Sequence, residues 1–315
     1  MNLFRYFVLA FLILLPILTS CGEGGDEDKN SAYLVTGGQL GTNETPVSEL
    51  RKNINFSIVS SNSDFTFGTA IAAKALATSE AFYWFLSVTN VSSSETYCFI
   101  RVENITFTSA DDTVLETEDF SYVEGYTKKL SSSAIYTNTC LEPNQSGHVI
   151  GIEMSVPFNQ VANIQINSIS KSSSLVEMPA MDMSVLSYSA EQPPTTSQEV
   201  NINVVNNGPE SGQIRSLSLA ILLDDNDVPL IWSFFNPTDT WDGILAANER
   251  GVLTDTLWYE GFSNKILLYL DYDALPLSEP KRAILSKKSF ISKEDYFRHM
   301  LKHRNNIEEI KSKSK

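Results

Sequence analysis

From residue 32 onward, apolar and polar residues alternate in short runs broken by Ser, Thr, Asn, Asp and Gly, the period-two pattern of half-buried strands. Phe82, Trp84, Leu86 and Val88 fall on one face of a strand over 81–90, and Asn90-Val91-Ser92-Ser93-Ser94 turns the chain. Cys98, Ile100 and Val102 share a face of a strand over 96–108 by the same rule. Further strands are expected over 54–60, 114–119, 134–138, 149–156 and 162–169, while the alanine-rich 69–79 suits either a strand or a short helix. Asp111-Asp112-Thr113 and the proline-glycine loop Leu141–Gly147 are the turns between them. About seven strands in roughly a hundred residues is what an immunoglobulin-like sandwich needs.

Residues 171–199, with Pro193 and Pro194 and one strand-like piece over 183–188, read as a seam. Beyond it the same order recurs: strand, turn at Asn206-Asn207-Gly208-Pro209, strand over 214–223, then the acidic turn Asp224-Asp225-Asn226-Asp227. Leu141-Glu142-Pro143-Asn144 with Gly147 is echoed by Leu245-Ala246-Ala247-Asn248 with Gly251. The expected fold is all-β, two tandem immunoglobulin-like β-sandwiches over 32–175 and 180–275. A C-terminal amphipathic helix follows, because Tyr296, Met300, His303, Ile307 and Ile310 recur at helical spacing behind a capping-box-like Ser292-Lys293-Glu294-Asp295. In the second copy, Leu217–Asp227 resembles the FxLYD-type immunoglobulin-like domains of bacterial surface proteins, with Leu223 in place of the tyrosine. That resemblance implies a sandwich and brings no catalytic residues with it.

At the other end, residues 6–18 are all apolar and follow Arg5, the layout of a secretion signal, and they are too few to span a bilayer, which takes about 20. Leu18-Thr19-Ser20-Cys21 resembles a bacterial lipoprotein signal. The resemblance implies a signal peptide over 1–20, cleavage before Cys21, lipid on Cys21, and, with Gly22 rather than Asp after it, the outer membrane. Residues 21–31 then form a flexible acidic tether. With Cys21 lipidated, Cys98 and Cys140 remain, and in an oxidising compartment they are expected to form a disulfide, the alternative being two buried thiols.

Charge separates the chain into two parts. The net charge is −15, yet residues 281–315 carry eleven basic and four acidic residues, leaving −22 for the rest. An acidic body excludes nucleic-acid binding by that part. The basic tail is expected to be mobile and to meet an anionic partner through Tyr296, Phe297, Arg298, Met300, Leu301 and Lys302.

Catalytic patterns are scarce. Neither a phosphate-cradling loop nor a dinucleotide fingerprint is present, and Gly261-Phe262-Ser263-Asn264-Lys265 lacks the closing glycine of a nucleophile elbow. The chain has three histidines, His148, His299 and His303; the last two, at i and i+4, could clamp zinc but have no third ligand nearby in sequence. Asp224, Asp225 and Asp227 could offer calcium the oxygen ligands it prefers, or simply satisfy their own turn. Asp239, Trp241 and Asp242 place an aromatic platform between carboxylates, as sugar-binding surfaces do, or form a hairpin tip. No cofactor is expected apart from that calcium. The functional expectation is an exported, lipid-anchored envelope protein serving as a non-catalytic binding or assembly module for a protein or glycan. A glycan hydrolase built on a carboxylate pair and a structural spacer are the competing readings.

Overall fold

The alternation becomes twenty strands and a C-terminal helix in the computed structural model, which describes residues 32–130, 135–173, 177–178, 183–209, 211–214, 218–238, 242–274 and 293–313. The first half contains β1 (Ala32–Leu40), β2 (Arg51–Ser60), β3 (Phe65–Ala73), β4 (Phe82–Asn90), β5 (Tyr97–Thr108), β6 (Val114–Glu124), β7 (Tyr126–Leu130), β8 (Ile135–Cys140), β9 (Ser146–Glu153) and β10 (Asn163–Ser173). The second contains β11 (Glu177–Met178), β12 (Met183–Ala190), β13 (Ser197–Asn206), β14 (Gly212–Ile214), β15 (Ser218–Leu223), β16 (Pro229–Pro237), β17 (Ile244–Leu245), β18 (Arg250–Trp258), β19 (Ser263–Tyr269) and β20 (Tyr272–Ala274). The helix runs Lys293–Lys313. The ambiguous 69–79 stretch is strand as far as Ala73.

The chain is mostly β, arranged as two barrel-like sandwiches. Strands β10-β2-β3-β4-β9-β6-β5 close a barrel, and β1-β19-β15-β16-β18-β13-β12 form a seven-stranded sheet. Six strands have the same order in both: β3-β4-β9-β6-β5-β10 in the barrel matches β12-β13-β18-β16-β15-β19 in the sheet. The echoed loops occupy matching corners and use matching bonds. Asn144 and Asn248 both have positive φ, at 65° and 62°, a conformation Asn tolerates better than most side chains. Asn144 N–H donates to Asn90 O at 2.7 Å, and Asn248 N–H donates to Asn206 O at 2.7 Å. The Asn90 and Asn206 amides then donate to Leu141 O and Leu245 O, at 2.9 and 3.3 Å.

The seventh strand distinguishes the copies. In the barrel β2 pairs with β3 antiparallel and with β10 parallel, so the wall closes through backbone. In the sheet the place is filled by β1, antiparallel to β19. This corrects the expected boundary: β1 falls within 32–175 by sequence but belongs to the second sheet, because its pairing partner lies more than 200 residues away and no local pattern encodes that choice. Where β1 meets β12 the bridges are side chains: Tyr188 Oη donates to Gly38 O at 2.6 Å, Tyr33 Oη donates to Met183 O, and buried Gln198 bonds Gln39 O, Gly41 N–H and Glu191 O. Gly37 permits this, since a Cβ there would lie 2.6 Å from the Tyr188 ring.

Cys98 and Cys140 form a disulfide, closing a loop of 42 residues, a constraint that stabilises by about 4 kcal/mol on the chain-entropy model. Its position differs from the expected one. The β5–β10 register shifts between Ser170 and Ser172 beside Phe99, whose φ is 50°. The extra residue breaks the alternation, so Ile100 and Val102 enter the barrel core while Cys98, Phe99 and Cys140 form a cluster of their own.

A second apolar core is continuous from the sheet's inner residues, among them Leu219, Ile221 and Trp232, through the outer wall of the barrel at Tyr83, Phe85, Ile150 and Ile152, to Met300, Ile307 and Ile310 of the helix. The helix is therefore part of the fold, which overturns the expectation of a mobile tail. A wide basic face misled the charge argument; the narrow apolar face is fully used.

Candidate functional site

Strands β6 and β9 are neighbours in the barrel but pair only at Val123↔Val149 and Glu124↔His148. Beyond those pairs they part, each still held on its other side, β6 by β5 and β9 by β4. The residues lining this splay are polar on an otherwise apolar wall, and the helix lies against it. Ser121 Oγ donates to Ile150 O across the opening at 2.7 Å. His299 stands over Ser121, its Nε2 3.3 Å from Ser121 Oγ, with its ring 5.2 Å from Phe120 and 5.5 Å from Tyr122. His303, one turn on, is fully buried, its Nε2 2.9 Å from that of His299 and its ring edge-on to Trp232 at 5.6 Å.

Proton placement follows from these contacts. Ser121 spends its proton on Ile150 O, and one N–H lies between the two Nε2 atoms, one imidazole donating and the other accepting. His303 Nδ1 has no partner among the described residues. Burial, and then the Lys302 charge, hold His299 down to about 3. His303 is held well below its ordinary value by burial, by His299 and by Lys302. Both imidazoles are neutral in the fold.

At the far edge of the splay, Glu118 of β6 and Glu153 of β9 bring their carboxyl groups together. Burial, and for Glu153 the neighbouring Glu118 as well, raises both above the usual carboxylate range. Glu118 Oε2 and Glu153 Oε1 are buried and meet no hydrogen-bond partner among the described residues. Lys302 Nζ approaches Glu118 Oε1 to 4.0 Å from solvent. The helix is fixed further along by Lys311 Nζ, 2.9 Å from Asp255 Oδ1, while Ser233 donates to the same carboxylate.

Other expected site residues are placed differently. Asp224 accepts N–H bonds from Asn226 and Val228 at 2.8 and 2.9 Å and an ion pair from Arg51 at 2.6 Å. Burial alone would raise its carboxyl, but these partners hold it below the usual range. Lys265 bonds Asp225 O and Asp227 Oδ1 at 2.9 and 2.8 Å. Two cations of the chain itself thus pair with Asp224 and Asp227, and no group of three or more metal-ligating side chains occurs among the described residues. Asp242 is exposed and caps its own turn through Ile244 N–H at 3.0 Å, while Asp239 and Trp241 lie outside the described residues. Of the six tail residues, Met300 is buried, Leu301 partly so, and Arg298 and Lys302 are exposed; the side chains of Tyr296 and Phe297 lie outside the described residues, as does Cys21. No family model matches the chain, and a search of curated proteins finds no match.

Sequence reasoning passed over Glu118, Ser121 and Glu153. A signal was present: Glu153 ends an otherwise apolar run, Val149-Ile150-Gly151-Ile152, and a carboxylate in such a strand is rarely buried without a partner.

Proposed function

We propose that this is an exported, lipid-anchored cell-envelope protein, held through Cys21, that acts as a non-catalytic binding or assembly module for a protein or glycan. The lipoprotein-like Leu18-Thr19-Ser20-Cys21 supports the anchor. The observation that carries the non-catalytic half is the fate of the three histidines: His148 Nδ1 meets Tyr269 Oη at 3.1 Å in the interior, and His299 and His303 meet each other under the helix. A surface nucleophile has no histidine left to activate it. The recurring six-strand order supports a tandem immunoglobulin-like ancestry for the two sandwiches. The hydrolase reading would rest on Glu118 and Glu153, whose Oε2 and Oε1 atoms are buried.

The test is fractionation of cells carrying the wild-type chain and Cys21→Ser, with acyl labelling. The wild type should be labelled and membrane-bound, and the variant unlabelled and released; a variant that stays membrane-bound overturns the anchor. Envelope glycans incubated with the purified protein should be retained or ignored but not cut. Cleavage that disappears in Glu118→Gln/Glu153→Gln would establish the hydrolase instead.

A further inference from the structure

We propose that the C-terminal helix is a pH-governed latch over the splay between β6 and β9, held over a middle range of pH and loosened by the histidine pair on the acid side and by the Glu118–Glu153 pair on the alkaline side. The geometry carries the proposal. Two imidazole nitrogens 2.9 Å apart leave room for one proton between them. A second proton makes an imidazolium, and what faces it is apolar or cationic: Phe120 and Tyr122 from β6, Trp232 from β16, and Lys302 from the helix itself. Glu118 of β6 is already approached by Lys302 at 4.0 Å, and Glu153 of β9 neighbours Glu118. Asp255 of β18 is engaged with Lys311, and Tyr83 of β4 faces Asp255 and Glu308 farther along the helix. On the alkaline side, ionisation sets two buried carboxylates against each other and against Glu116 and Asp119, with Lys302, whose side chain is 65% exposed and screened by water, as the counter-ion.

The signs of the two arms are opposite. The histidines are depressed in the fold, so their contribution to docking is present above the ordinary 6.5 and is lost as pH falls toward about 3. The carboxyls are raised in the fold, so theirs is present below the ordinary 4.5 and is lost as pH climbs through their raised values. Between 4.5 and 6.5 the slopes oppose each other and docking is tightest. Below that window the carboxyls are protonated whether or not the helix is docked, and the histidines act alone. Above it the free histidines are neutral, and the carboxyls act alone. Release uncovers Phe120, Tyr122 and Trp232 and opens the junction of the barrel where β6 and β9 share two residue pairs.

The experiment is amide exchange of the full chain, corrected for the intrinsic pH dependence of exchange, comparing helix peptides with barrel peptides. Helix protection should peak near pH 5.5 and fall by about tenfold or more per pH unit outside the window while the barrel stays protected. His299→Leu/His303→Leu should flatten the acid arm only, and Glu118→Gln/Glu153→Gln the alkaline arm only; the second variant keeps the test decisive if the first does not fold. A flat wild-type profile overturns the proposal. So does helix protection that falls only together with that of the barrel, or arms that survive their variants.

Discussion

The barrel and the seven-stranded sheet are two versions of one six-strand plan, and they differ in how the seventh strand completes them. The barrel takes β2, the strand directly before its first hairpin, and closes by backbone ladders on both sides. The sheet takes β1 from the far end of the chain, running in the opposite sense relative to its neighbour, and its last gap is spanned by two tyrosine hydroxyls and one glutamine amide. A ladder satisfies backbone groups in register regardless of side chain, whereas a side-chain bridge depends on particular residues. The second copy is therefore the one that a point mutation can open, while the helix lies against both, on β9 of the barrel and β16 of the sheet.

The helix gives the largest expected effect. Deleting residues 293–315 removes the buried Met300, Ile307 and Ile310 and bares Trp232. At about 1.5–3 kcal/mol for each buried aliphatic chain, the loss should be on the order of 5 kcal/mol or more. Urea unfolding should show a lower midpoint, and exchange should rise first in β9 and β16, on which the helix lies. An unchanged midpoint would return the helix to the role of a detached tail.

A smaller effect tests whether the copies are equivalent. Asn90 donates to Glu95 O and Leu141 O and accepts from Ser92 N–H; Asn206 donates to Leu245 O and Ala246 O and accepts from Gly208 N–H. Both are fully buried. Each replacement by Ala removes three hydrogen bonds at about 1 kcal/mol apiece, so Asn90→Ala and Asn206→Ala should each cost roughly 2–3 kcal/mol. Equal shifts in midpoint would support one shared corner. A loss confined to one of them would show that the resemblance is of outline alone.

This corner is also where the fold was most legible. The leucine and asparagine of each loop stand at the same spacing because each meets a local requirement, turn entry and positive φ respectively. Gly147 has Glu124 O where a Cβ would sit. The disulfide partners were legible as well, by elimination of other thiols. What escaped was every feature that depends on distant contacts. The membership of β1 rests on β19, the facing of Cys98 on one inserted residue at Phe99, and the helix's role on an apolar stripe whose receiving surface, Trp232 and the outer wall of the barrel, is itself spread over three strands. The candidate site escaped for the same reason. Glu118, Ser121, Glu153, His299 and His303 are separated by up to 185 residues, and none of them sits in a motif.

The finest test of the comparison is the β1–β12 gap. Tyr188→Phe removes a single hydroxyl, the one that donates to Gly38 O at 2.6 Å, and leaves the ring in place over Gly37. Gly38 is exposed, so water can take the vacated acceptor, and the cost should stay at or below about 1 kcal/mol, near the low end for a hydrogen bond whose partner is not left buried and unpaired. The informative readout is local. Exchange of the β1 and β12 amides should quicken while those of β2 and β3, the strands that complete the barrel, remain unchanged, because the register Arg51↔Ala73 through Ile54↔Ala70 is made of backbone bonds that no side chain supports. A large global loss would mean that the hydroxyl, and not the packing of the ring against Gly37, holds β1 in the sheet. No change at β1 would mean that Gln198 and Tyr33 alone suffice to close it.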